Sequence, residues 1–161
     1  MKTFLLNHEK WYNSDYSIFQ NNEKVGYLLT ESFKKMNTLG LYGIEFTVRR
    51  GNVWRNERFI YQGNVLFAEI IEKTFKGETI LILQNGDQYI IRQNVWKGIY
   101  TLYRGERALG EFKGKSFNNI ATVADELSLP LIASFILTST IQKYAYVAFI
   151  AFIPVFITVF S

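Results

Sequence analysis

Phe59-Ile60-Tyr61-Gln62-Gly63-Asn64-Val65-Leu66-Phe67-Ala68-Glu69-Ile70 places an apolar-rich run on each side of Gln62-Gly63-Asn64. Gly and Asn tolerate the positive φ that a tight hairpin needs, so the stretch reads as two antiparallel strands joined by a turn. The unit recurs. Tyr61-Gln62-Gly63-Asn64 lies 42 residues after Phe19-Gln20-Asn21-Asn22 and 42 before Tyr103-Arg104-Gly105-Glu106, with Gly26, Ala68 and Gly110 keeping a small residue in register. Ser32-Phe33-Lys34, Thr74-Phe75-Lys76 and Ser116-Phe117-Asn118 align at the same period, as do Asn52-Val53-Trp54-Arg55 and Asn94-Val95-Trp96-Lys97. Phe33, Trp54, Phe75, Trp96 and Phe117 follow one another at intervals of 21 residues. The body of the chain reads as three copies of a 42-residue unit, the last cut short.

Turn chemistry at Gln20-Asn21-Asn22-Glu23, Asn85-Gly86-Asp87 and Arg104-Gly105-Glu106, and again at Gly40-Leu41-Tyr42-Gly43, separates runs of ordinary strand length. The pattern predicts strands at 15–20, 24–33, 37–41, 44–51, 54–62, 65–75, 78–84, 87–95, 98–104, 107–114 and 117–123, eleven or twelve in all. So many short antiparallel strands must hide their edges, and closure into a barrel does so completely. About eight strands make an interior that side chains can fill, so a barrel of about twelve is hollow unless something occupies it. The run 127–142 fits that place: it follows Asp125-Glu126, carries Pro130 in what would be its first turn, and is apolar all round. The expected fold is mainly β, a closed antiparallel barrel of about 12 strands around a hydrophobic C-terminal helix. The aromatic series is expected to fill equivalent core positions.

Composition narrows the function. The chain has 161 residues, 48% hydrophobic and 17% aromatic, with no Cys and one His. Thiolate metal sites, disulfides, Cys nucleophiles and His-centred triads are thereby excluded or nearly so, and no enzyme activity or cofactor is expected. Residues 1–126 carry 17 Lys and Arg against 14 Asp and Glu, a net charge of +3, whereas 127–161 carry only Lys143. The start, Met1 to Glu9, has about four apolar residues where a secretory signal needs roughly 7–15, so no signal peptide is read there. After Gln142-Lys143, the uncharged run Tyr144 to Phe160 would make about 26 Å of helix, at the short limit for the roughly 30 Å hydrocarbon core. It reads as a membrane anchor with the body on the cytoplasmic side; the other reading packs it on or inside the barrel of a soluble protein. The resulting division is an N-terminal extension at 1–14, a barrel with its helix at 15–142, and a hydrophobic tail at 143–161.

The hairpin series ending Tyr103-Arg104-Gly105-Glu106-Arg107-Ala108-Leu109-Gly110-Glu111-Phe112, the link Phe117 to Val123 and the Asp125-Glu126-Leu127 entry into a hydrophobic helix resemble the tubby C-terminal-like family over roughly 15–142. That family includes tubby proteins, phospholipid scramblases and LURP-one-related proteins. The resemblance implies a twelve-stranded barrel around a central helix and an association with phosphoinositides or membranes. It transfers neither a phosphoinositide site nor the scramblase calcium-binding segment to particular residues of this chain.

Lys34, Lys35, Arg49, Arg50, Arg55, Arg58, Lys73 and Lys76 lie near predicted turns and strand ends, and are the candidates for contact with anionic lipid headgroups. The competing reading is an ordinary solvated β surface, since a charge of +3 over 126 residues is a weak bias. In a regular strand Arg49 and Arg50 point to opposite faces. Nucleic acid is not an expected partner, and nothing in the sequence names a protein partner. His8 reads as a surface residue, and Glu69, Glu72 and Glu111 lack a nucleophile or metal set around them.

Overall fold

The two-residue alternation of apolar side chains becomes, in the computed structural model, an alternation of inward and outward positions around a closed wall. The structure describes residues 1–8, 15–31, 36–51, 54, 57–73, 76–94, 96–114 and 118–143. Twelve strands form the wall: β1 (Lys2–His8), β2 (Tyr16–Gln20), β3 (Glu23–Glu31), β4 (Met36–Leu41), β5 (Ile44–Arg50), β6 (Glu57–Gln62), β7 (Val65–Lys73), β8 (Glu78–Leu83), β9 (Gln88–Asn94), β10 (Ile99–Arg104), β11 (Arg107–Lys113) and β12 (Asn119–Val123). Each pairs antiparallel with its sequence neighbours, and β1 pairs with β12 to close the barrel. Closure leaves no exposed sheet edge.

The sequence suggested an extension outside the barrel at 1–14, but Lys2–His8 within it form a strand of the wall, and 9–14 lie outside the described residues. Lys2 pairs with Val123 and His8 with Tyr16, so β1 is the closing strand. Phe4 and Leu6 point inward and are fully buried. The strand that was expected to begin at Trp54 begins instead at Glu57, and Trp54 lies in a short helical turn before it.

Register shifts fall at Ile18/Phe19, Ile60/Tyr61 and Leu102/Tyr103, 42 residues apart each time. Opposite the first residue of each pair stand Gly26, Ala68 and Gly110. A bulge bends its strand and increases the local twist, and a small residue opposite it lets the wall turn. At the Asn21-Asn22 turn both residues have positive φ, 52° and 65°, the geometry that two-residue hairpins favour.

One helix, α1 (129–143), runs along the axis. The Ile132 amide donates to the Ser128 carbonyl, so Pro130 sits in the first turn, where its missing N–H costs nothing. Every residue from 131 to 140 is buried. Phe135, Ile136 and Leu137 meet the inward side chains of the wall, among them Phe46, Ile60, Leu81 and Phe112, in one continuous core. The hydroxyls of Ser134, Thr138 and Thr140 donate to carbonyls four residues earlier at 2.7, 2.7 and 2.8 Å. Three of the four buried hydroxyls of the helix are thus satisfied within the helix itself.

Candidate functional site

Because every neighbour is antiparallel, the two ends of the barrel differ in construction. One end, the turn rim, holds the tight turns 21–22, 42–43, 63–64, 84–87 and 105–106 together with Met1 and the entry to α1. The other, the loop rim, is where the ends of β1, β3, β5, β7, β9 and β11 are linked to the starts of the strands that follow them.

Helix α1 enters at the turn rim and reaches the loop rim. Gln142 donates to the hydroxyl of Thr79, near the start of β8, and Lys143 Nζ donates to Asn119 Oδ1 at the start of β12, at 2.7 Å. Burial pushes the Lys143 ammonium below its ordinary pKa. Asn119 Nδ2, Ser139 Oγ and Gln142 Oε1 are buried nearby without a hydrogen-bond partner. The barrel is therefore apolar along most of its axis and polar where the helix leaves it.

The charged groups differ between the rims. At the turn rim lie Glu23, Glu45, Asp87, Glu106, Asp125 and Glu126, with ion pairs from Arg104 to Asp87 and Arg107 to Glu126, and from the N-terminus to Asp125. At and just below the loop rim, Glu72, Glu78 and Glu111 are engaged by Arg58, Arg92 and Lys113 at 2.9, 3.4 and 3.3 Å. Arg50, Lys73, Lys76 and Lys97 are exposed there and make no ion pair among the described residues. Asp15 and Glu57 also lie at this rim, and the Thr30 amide donates to the Asp15 carboxylate.

The headgroup candidates therefore separate. Arg50, Lys73 and Lys76 stand exposed at the loop rim, whereas Arg58 is half-buried in its pair with Glu72. Arg49 is exposed, with its guanidinium 4.3 Å from the centre of the Tyr61 ring, which orients it along the outer wall. Arg49 and Arg50 are both exposed because β5 ends at the rim, where an inward-phased side chain no longer meets the core. Lys34, Lys35 and Arg55 lie outside the described residues. Lys97 was missed, although its place in Asn94-Val95-Trp96-Lys97 matches Arg55 in Asn52-Val53-Trp54-Arg55.

The aromatic series requires a correction. Trp54 and Trp96, expected in the core, are 95% and 85% exposed, in the links that follow β5 and β9. Phe33, Phe75 and Phe117 lie outside the described residues. Trp54 and Trp96 therefore belong to the links of the loop rim, and in chain order the rest of the series falls between the same kind of strand ends. Tyr12 extends it one step earlier, into the link after β1.

His8 is half-buried rather than a freely exposed surface group, its ring 4.2 Å from that of Tyr16. Among the described residues, no group of three His, Cys, Asp or Glu side chains is placed to hold a metal ion. A shallow groove on the outer wall is lined by Thr101, Glu111, Lys113, Ile120 and Thr122, and brings together no set of catalytic groups. Among the described residues no helix is long and apolar enough to cross a membrane; the run 144–160 lies outside them. Comparison with known proteins gives no match to a family model, to a curated protein or to a solved structure.

Proposed function

We propose that this chain is a non-enzymatic, membrane-associated module of the tubby-like type, held at the cytoplasmic face of a membrane by residues 144–160 with its loop rim toward the lipid. The observation that carries this reading is the exit of α1 at the loop rim, beside Thr79 and Asn119, on the same end of the barrel as the exposed Arg50, Lys73, Lys76 and Lys97. The uncharged run from Tyr144 to Phe160 follows directly in the chain. A described α1 that is buried throughout 131–140 already occupies the barrel axis, which supports placing the second apolar run outside the barrel. Transfer of that run into hydrocarbon supplies the main attraction. The rim cations add about 1 kcal/mol each near an anionic surface.

Vesicle flotation of the full chain beside a chain ending at Lys143, both checked for folding by circular dichroism, tests the proposal. The expected result is that only the full chain floats while the shorter one stays folded and in solution. If the shorter chain unfolds or aggregates, the last run is part of the core, and a soluble interaction protein replaces the membrane module.

A further inference from the structure

The side chains at the loop rim fit an interfacial contact better than a solvated surface. In sequence, Phe33-Lys34, Trp54-Arg55, Phe75-Lys76 and Trp96-Lys97 repeat an aromatic residue followed by a cation at steps of 21 residues, and the strand boundaries assign one such pair to each of four successive loop-rim links. Trp54 and Trp96 expose nearly their whole surface, whereas the inward-facing aromatics of the wall, such as Tyr100 and Phe112, are buried. Lys97, next to Trp96 in the chain, and Lys76, in the link after β7, are exposed without an ion pair among the described residues.

Indole rings favour the headgroup region of a bilayer, where an apolar body and a polar N–H are both accommodated, and Lys and Arg favour its anionic phosphates and carboxylates. A protein partner would call for one apolar patch. Here the links following β5 and β9 are separated around the barrel by β6, β7, β8 and β9, so the two indoles stand apart on the rim. Separated aromatic and cationic tips suit an extended flat surface that meets them all at once.

We infer that the loop rim is a docking ring for an anionic lipid surface, with Trp54 and Trp96 seated in the headgroup layer and Lys76 and Lys97 paired with lipid anions. This deepens the function proposed above and rests on it: the tail would hold the protein at the membrane, and the ring would set how the barrel sits there.

The test uses full-length chains with a single tryptophan, W11F/W96F retaining Trp54 and W11F/W54F retaining Trp96, in vesicles of phosphatidylcholine with or without phosphatidylserine. Flotation is scored in the same samples. The ring predicts that, in phosphatidylserine vesicles, each indole shifts its emission to shorter wavelength, is quenched by lipid brominated high on the acyl chain, and loses severalfold of its accessibility to acrylamide. Adding K76E and K97E to each chain should reverse most of that protection without changing its circular dichroism, since both side chains are exposed. Chains that float while both indoles remain open to acrylamide and unquenched by bromolipid overturn the ring and leave the tether standing. Chains that do not float overturn the tether and the ring with it. A blue shift that appears without vesicles and grows with protein concentration overturns the lipid assignment in favour of contact between copies.

Discussion

A Cβ built on Gly26 would lie 2.1 Å from the Gly40 carbonyl oxygen, a backbone atom that cannot swing aside. The aligned position of the next unit holds Ala68, fully buried, so the crowding at Gly26 comes from the close approach of β3 and β4 there. Gly26→Ala should destabilise the barrel by about 1–3 kcal/mol through overpacking, read as a lower urea midpoint with an unchanged slope. A second residue-scale prediction concerns Lys143. Its folded pKa is lowered by burial, so between that value and the unfolded value near 10.4 the unfolded chain binds more protons, and stability rises with pH. Below that window the full cost of holding the ammonium half-buried is present. Tyr27 and Tyr42 act in the opposite sense: burial raises both, the Glu45 carboxylate helps to raise Tyr27, and their contribution to stability falls as pH climbs past 10. Comparing wild type with Lys143→Met cancels the tyrosines. The advantage of the methionine chain should be greatest at neutral pH and shrink toward pH 10; a difference constant with pH would show that the ammonium carries no burial cost.

The central helix is an element whose sequence looks polar in places and whose packing is not. Ser134, Thr138 and Thr140 are buried, yet each bonds back to its own helix, so none of the three needs a partner from the wall. Thr138→Val should therefore change stability by less than about 1 kcal/mol, since the Ser134 carbonyl keeps its helical N–H. Phe135→Ala, which empties a fully buried site against Gly110, should cost about 3–5 kcal/mol; thermal unfolding of the two variants side by side checks the contrast. The helix and the hairpins were legible in the sequence because their signals are local: Pro130 and the acidic pair at the start of an uncharged, mostly apolar run, and Asn or Gly in the tight turns of the turn rim. β1 was not read as a strand, although Lys2–His8 lies 42 residues before Ile44–Arg50, because one of its two partners, β12, comes from the far end of the barrel and meets it only on closure. Trp54 and Trp96 were misread for a related reason. A regular aromatic period is equally compatible with repeated core positions and with repeated links, and only the strand boundaries separate the two.

At the scale of the whole molecule, antiparallel closure gives the barrel a direction. All the tight turns and the helix entry lie at one rim, while the longer links, the exposed tryptophans and the helix exit lie at the other. The direction itself was implicit in the 21-residue spacing, since one hairpin per step returns every link to the same end, but the sorting of free cations from paired ones required the ion pairs of the wall. A barrel docked by its loop rim should show this direction in lysine chemistry. Lys73, Lys76 and Lys97 are exposed at that rim, and Lys24 is exposed beside the Asn21-Asn22 turn at the other. When the full chain is acetylated on vesicles and read by mass spectrometry, replacing part of the phosphatidylcholine by phosphatidylserine should slow the three rim lysines severalfold and leave Lys24 unchanged. Raising the salt should restore much of their rate, because attraction across an aqueous interface is screened within about 10 Å at 0.1 M. Equal slowing of all four would mean that the barrel lies on its side or that copies mask one another. Unchanged rates would mean that the rim faces water, because a surface close enough to pair with the ammonium groups of Lys76 and Lys97 must also withhold them from the reagent.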